Sequence, residues 1–308
     1  MDPTPSAFPL GTINWGTKLC DAELDRLYDA FRAAGGNVFD SAHVYACWLP
    51  DGAGASERAL GEMVRRRNDR DNVIIATKGG HPTFRDVYPR PERYLSPEVI
   101  ERDITESLDR LGVETIDLYF LHRDDPRVPV SEIIDTLDAH VARGQVRQIG
   151  ASNWTTSRID EANAYAASHG RARLVASQVK FSLAVPQPSK DPLVPPFDQA
   201  EIDWHAASKM PVYAYSPTAN GFFATNGERG GRGWHGPLSD ARLREANRLA
   251  DELGATPNQV ALAWMLHKPF PVIPILGTTS VEHLEDALGA SKLRLTPEQM
   301  RSLDRPST

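Results

Sequence analysis

Short, nearly continuous apolar runs alternate along the chain with longer segments whose apolar residues recur every three or four positions. The runs cover 11–14, 37–40, 73–77, 116–121, 146–151, 174–178, 212–215 and 272–275. Their lack of strict alternation suits strands buried on both faces of a parallel sheet. Between them, Leu24, Leu27, Tyr28 and Phe31 sit at helical spacing behind Asp21, and Gly35 and Gly36 follow as a stop. Ser96-Pro97 opens a helix that carries Ile100, Ile104, Leu108 and Leu111 on one face and stops at Gly112; Ser131 opens another that stops at Gly144. Thr256-Pro-Asn-Gln259 and Thr296-Pro-Glu-Gln299 both read as capping boxes with proline at the first helical position. Strand and helix in eightfold alternation, with no break in composition, predict an α/β fold of the (β/α)8 TIM-barrel type, a single domain over 1–308. Three long irregular stretches, 79–95, 182–196 and 218–237, follow strands, which places them on the carboxyl face of such a sheet.

Composition narrows the partners. With 41% apolar and 24% charged residues the 308-residue chain is ordinary globular material, and a net charge of -7 argues against nucleic acid as a main partner. No apolar window of about 18 residues offers a membrane span. The opening MDPTPSAF lacks the basic and apolar regions of a secretory signal, so a cytoplasmic protein is expected. Two cysteines, Cys20 and Cys47, make neither a disulfide framework nor a metal-binding pattern, and no metal is expected.

The candidate chemistry lies at the ends of the apolar runs. Asp40 ends the second run, Lys78 the third and His122 the fourth, while Tyr45 follows Asp40 in a polar loop. A lone residue of any of these types is more often a cap or an ion-pair partner than a catalyst. Their coincidence at the carboxyl ends of neighbouring strands favours a site. A free tyrosine titrates near ~10, and a neighbouring ammonium favours its anion. On that logic Lys78 favours the Tyr45 phenolate, Asp40 holds Lys78 charged, and His122 orients a carbonyl. No cysteine or serine elbow supplies a nucleophile, so a hydride from a cofactor fits.

The motifs FDSAHVY, IIATKGG and LYFLHRDD, followed by IGASNW, SQVKFS and PVYAYSP, resemble those of the aldo-keto reductase superfamily over nearly the whole length. The resemblance implies a barrel that binds a nicotinamide dinucleotide without a Rossmann fingerprint, and no GxGxxG follows a strand here. It implies Tyr45 as general acid, Lys78 and Asp40 as its partners and His122 as the residue that positions the carbonyl. It likewise implies Ser152, Asn153 and Gln178 at the nicotinamide carboxamide, Tyr215 stacked on the nicotinamide, and Ser216 and Pro217 toward the pyrophosphate.

Two stretches depart from the family pattern. After the last strand, PILGTTSVEHLEDAL puts Gly277 and Thr278 where NADP-selective members often have Lys-Ser, and His283 where they have arginine; Asp286 takes the adenine-facing acid position. An imidazole cannot make the bidentate phosphate contact of a guanidinium. NADP or NAD is therefore expected, with the preference open and Thr278, Thr279 and His283 as phosphate contacts. At the first strand, LGTINWG puts Asn14 and Trp15 at the nicotinamide end of the pocket. Trp15, His43, Trp48, Arg123 and Trp234 are proposed substrate-wall residues, although loop tryptophans are as often packed, and Arg123 beside Asp124 and Asp125 has a solvated ion pair as its alternative. The expected activity is reversible NAD(P)H-dependent reduction of an aldehyde or ketone, sugar-like in its polarity, by a monomer or weak homo-oligomer. The rivals are a redox-sensing regulatory subunit with little turnover and a non-redox barrel that uses Lys78 as a Schiff-base amine.

Overall fold

The computed structural model describes residues 3–306. Its strands are β1 (Leu10–Gly11), β2 (Val38–Asp40), β3 (Ile74–Gly79), β4 (Ile116–Leu121), β5 (Val146–Ser152), β6 (Leu174–Lys180), β7 (Val212–Tyr215) and β8 (Val272–Pro274). The helices that follow them are α1 (Asp21–Ala33), α2 (Ala55–Arg66), α3 (Pro97–Leu111), α4 (Val130–Ala142), α5 (Thr156–His169), α6 (Gln199–Ser208), α7 (Pro237–Leu253), α8 (Pro257–Leu266), α9 (Val281–Gly289) and α10 (Pro297–Asp304). Every strand is followed by at least one helix, as the apolar pattern predicts.

The chain forms two compact units. One holds Leu10–Gln178, the described residues before Ala7 and Leu193–Pro195; the other holds Ala7–Pro9, Val179–Pro192 and the described residues from Pro196 onward. In the first, strands pair in parallel and in chain order from β1 to the start of β6. In the second, β7 and β8 pair in parallel, with Val212 opposite Val272.

Local signals explain most helix ends. Gly112, Gly170 and Gly254 take left-handed φ just after α3, α5 and α7, where any side chain is disfavoured. Both capping boxes form, at Thr256 and Thr296. Two starts differ from expectation: α1 is capped by Cys20 rather than Asp21, and α4 begins at Val130 behind Pro129.

The first strand is also shifted, to Leu10–Gly11. After Thr12, whose N–H still reaches the Asp40 carbonyl, the chain folds into a turn with Trp15 N–H on the Thr12 carbonyl. The strand is cut short because the Trp15 ring is fully buried in an aromatic cluster, 5.6 Å from Phe39 and 6.4 Å from Tyr28. Phe31 and Phe39 complete that cluster between α1 and β2. Among the described residues no helix is long and apolar enough to cross a membrane.

Candidate active site

Successive side chains on a strand point to opposite faces, and β3 uses this to divide structure from chemistry. On one face the Thr77 hydroxyl donates to Glu57 of α2 at 2.7 Å, and Gly79 lies under Tyr119 and Asp103, where a Cβ would collide. Lys78 faces the other way, 1% exposed. The ladder carries β2 and β4 beside it: Lys78 pairs with Phe120, and His122 N–H donates to the Gly79 carbonyl at 2.7 Å. The segment after Asp40 is tied down by Ser41 N–H on Ala76 and His43 N–H on Lys78, both at 2.8 Å. Tyr45 follows, and Ala46 beside it has φ 65, a left-handed conformation that costs an alanine about 1–2 kcal/mol. Asn153 and Ser216, each beside another expected site residue, share that conformation at φ 58 and φ 55. Such strain persists where surrounding structure fixes it and clusters at functional sites.

The four expected catalytic residues come together. Lys78 Nζ donates to Asp40 Oδ2 at 2.6 Å, to the Ser41 carbonyl at 2.6 Å and to the Tyr45 hydroxyl oxygen at 3.0 Å, which uses all three ammonium protons. The ammonium also lies 4.6 Å from the centre of the Tyr45 ring. His122 stands edge-on to Tyr45, ring centres 6.1 Å apart.

The electrostatics correct one expectation. Burial raises the Tyr45 pKa, Lys78 opposes that without cancelling it, and the net direction is upward. Tyr45 thus holds its proton at neutral pH instead of standing as a phenolate. Burial works against the charge of Lys78, but Asp40 and Tyr45 outweigh it, so the ammonium persists. Burial first, then the fields of His81 and Arg123, push His122 well below the usual imidazole range, which leaves it neutral.

Next to this quartet, Gln178 Nε2 donates to Asp40 Oδ1 at 2.9 Å, so both carboxylate oxygens of Asp40 are engaged. Asn153 donates to Ser152 Oγ at 2.9 Å and to the His122 carbonyl at 3.2 Å, and its N–H meets the Gln178 carbonyl. The expected carboxamide residues therefore gather around the Asp40–Lys78 pair within one unit.

The other expected cofactor residues lie in the second unit. Tyr215, half-buried, ends β7, and Ser216 and buried Pro217 follow. Exposed Gly277, where a Cβ would meet nothing within 4 Å, leads through Thr278 and Thr279 into α9. Ser280 caps that helix and accepts from His283 N–H at 3.3 Å, while the His283 side chain is exposed. A helix N-terminus with hydroxyls beside it suits an anion. These residues fit a dinucleotide phosphate. Asp286, expected to face the adenine, has both carboxylate oxygens engaged within the unit: they accept from Thr256 Oγ1 at 2.7 Å and Asn258 Nδ2 at 2.8 Å, tying α9 to the start of α8.

The expected substrate wall divides. Trp48 is 40% exposed and pairs edge-on with Phe84 at 5.9 Å. Arg123 donates to the His122 carbonyl at 2.9 Å, and its charge lowers the Tyr45 pKa. Trp15 turns into the core instead, since apolar packing against Tyr28 and Phe39 claims its ring. His43 is also turned inward, with Nδ1 2.7 Å from the Tyr88 hydroxyl and Nε2 2.8 Å from Glu106. Trp234 is buried in the loop after β7 and Asn14 stands in the turn after β1, its carbonyl accepting Leu19 N–H at 2.9 Å.

Two residues at this site escaped the sequence reading. His81 stands edge-on to His122, ring centres 5.0 Å apart, and 6.2 Å from Phe84. Both lie in the long stretch after Lys78; the signal was a histidine three residues beyond a strand-end lysine.

The chain matches the aldo/keto reductase family model over residues 8–307. It is 31% identical over 308 residues to the uncharacterized oxidoreductase YrpG of Bacillus subtilis (strain 168), covering 96% of this chain and 90% of that protein. It is 27% identical to the aldo-keto reductase str7 of Strobilurus tenacellus, over 94% of this chain and 82% of the relative. It is 29% identical to the aryl-alcohol dehydrogenase [NADP(+)] of Phanerodontia chrysosporium, over 91% of this chain and 74% of the relative.

Proposed function

Because the chain belongs to the aldo/keto reductase family, whose (β/α)8 fold it has and whose members are NAD(P)H-dependent carbonyl reductases, we propose that Tyr45 is the proton donor to a substrate carbonyl oxygen. The observation that carries this is a buried, protonated phenol 3.0 Å from a buried ammonium. A nicotinamide cofactor would supply the hydride that reaches the carbonyl carbon. His122, neutral, donates its one ring N–H to the carbonyl oxygen and holds it toward the Tyr45 hydroxyl. As the oxygen gains negative charge, Tyr45 passes its proton to it, and Lys78 stabilises the phenolate left behind. Asp40 keeps Lys78 charged and aimed. Gln178, Ser152 and Asn153 would hold the carboxamide, Tyr215 the ring face, and Ser216, Thr278 and Thr279 the phosphates.

The substrate is an aldehyde or ketone that combines a face for Trp48 and Phe84 with polar groups for Arg123 and His81. The likeness to an aryl-alcohol dehydrogenase supports the aromatic part of this reading. Both NADP and NAD are accepted, because the first turn of α9 offers His283 and no arginine at the position beside Ser280. The test is Tyr45→Phe: kcat should fall about 10²- to 10⁴-fold while cofactor affinity stays within about twofold. Near-normal kcat in that variant removes Tyr45 from the chemistry. A wild-type protein that binds cofactor yet turns over no carbonyl favours a redox-sensing role instead.

A further inference from the structure

The Gly79–Leu95 stretch puts His81 and Phe84 at the site, where Phe84 packs on the small apolar cluster of Ala42, Val44, Cys47 and Tyr88. A polar cluster that reaches α3 holds this packing in place. Asp103, fully buried, accepts Gly80 N–H on Oδ2 at 2.9 Å and Arg90 Nη1 on Oδ1 at 2.7 Å, so one carboxylate ties Gly80 to Arg90 across the segment that carries His81 and Phe84. The Arg90 side chain is 3% exposed, and its guanidinium lies 4.1 Å over the Tyr88 ring. Its other arm donates to the Tyr88 hydroxyl and lies 3.1 Å from His43 Nδ1.

Those contacts define the state of His43. A guanidinium can only donate, so the Nδ1 that faces it carries the lone pair. Nε2 then bears the hydrogen and donates to Glu106 Oε2 at 2.8 Å. Glu106 also accepts from Arg110 Nη2 at 2.7 Å, and Arg110 Nη1 reaches Glu57 at 3.2 Å. The ring is thus a neutral link between the stretch and α3, which agrees with a pKa pushed by burial down to about 3. Within the stretch, Phe84 N–H donates to the Tyr88 carbonyl at 3.1 Å, and Thr83 and Arg90 exchange bonds at 3.0 and 3.1 Å. The Tyr88 ring lies 6.2 Å from His81, the residue beside His122.

We propose that Asp103, Arg90, Tyr88 and His43 form an anchor that sets the positions of His81 and Phe84, and through them substrate affinity, without entering the chemistry. The division follows from the bonding. Lys78 and Asp40 are held by the strand ladder and by each other, and Tyr45 is held at its hydroxyl by Lys78 while its ring packs on Ala42, Val44 and Cys47 as well as Tyr88, so loosening Arg90 moves the substrate wall and leaves the hydrogen bond of the proton donor in place. His43, Tyr88 and Arg90 are positioning residues on this reading. The inference rests on the carbonyl-reductase reading for its kinetic part only.

Arg90→Met should raise KM by about tenfold or more, with kcat within about threefold and cofactor Kd unchanged, since only uniform substrate binding is lost. Amide hydrogen exchange over 81–88 should quicken in the protein without substrate. Tyr88→Phe, which keeps the ring and removes only the hydroxyl between Arg90 and His43, should change both readouts in the same direction by less, and it carries the test if Arg90→Met does not fold. Unchanged exchange in the variants overturns the anchor. Faster exchange with a loss confined to kcat overturns its role in affinity. Were the wild-type protein to reduce no carbonyl, the exchange arm would still decide the anchor, while that failure would count against the proposed function alone.

Discussion

Lys78→Met separates the two tasks of the central ion pair. Methionine keeps the apolar stem but removes an ammonium that donates at 2.6, 2.6 and 3.0 Å. It strands the Asp40 carboxylate, 3% exposed, with Gln178 at 2.9 Å as its remaining side-chain donor. Removing one partner of a buried pair costs about 3–5 kcal/mol, a large part of the ~5–15 kcal/mol that holds a typical domain together. Adding Asp40→Asn removes the stranded charge and should recover roughly half of that loss, because the penalty lies in the uncompensated charge more than in the lost attraction. Activity should follow a different rule. Both variants leave the Tyr45 hydroxyl without its ammonium, so kcat should fall about a hundredfold or more in each. Urea denaturation at neutral pH gives the stabilities, and steady-state turnover gives the activities. If Lys78→Met costs less than about 1 kcal/mol, or if Asp40→Asn in that background destabilises further, the two groups do not depend on one another as the geometry requires.

His283→Arg should shift preference toward NADP, whereas the unmodified protein should discriminate less than about a hundredfold, ~2.7 kcal/mol, in a fluorescence titration with each cofactor; a thousandfold preference would show another cation at work. Stability should fall on the acid side: His43 is neutral in the folded protein down to about 3, the unfolded ring takes a proton below ~6.5, and so the unfolded state binds more protons between those values. Urea midpoints should therefore drop as pH falls through that window, less steeply in His43→Gln, and parallel slopes would refute the assignment. Cys47→Ser should leave kcat within about threefold, since the thiol is buried against Ala42, Val44 and Tyr88 and burial pushes its pKa up; loss of turnover in a folded variant would contradict this.

The sequence by itself determined which segments are strands and helices, because that information is local: the spacing of apolar positions, left-handed glycines at Gly112, Gly170 and Gly254, and the capping boxes at Thr256 and Thr296. It also determined that Asp40, Lys78 and His122 share a sheet edge, since the carboxyl ends of neighbouring parallel strands come side by side. Tertiary structure alone decided which way side chains outside the strands turn. Trp15 and Trp48 look alike in the sequence, yet one is fully buried against Phe39 and the other stands beside Phe84 at the site. His43 turns away from the wall expected of it because Glu106 and Arg90, far along the chain, claim its ring, while His81, which no sequence pattern singled out, stands beside His122. The proton state of Tyr45 was undecidable beforehand for the same reason: it is a balance between desolvation and the field of Lys78, and only packing sets the depth of burial. Asp40 meets Gln178 across 138 positions of sequence, a distance at which no local pattern carries information about contact.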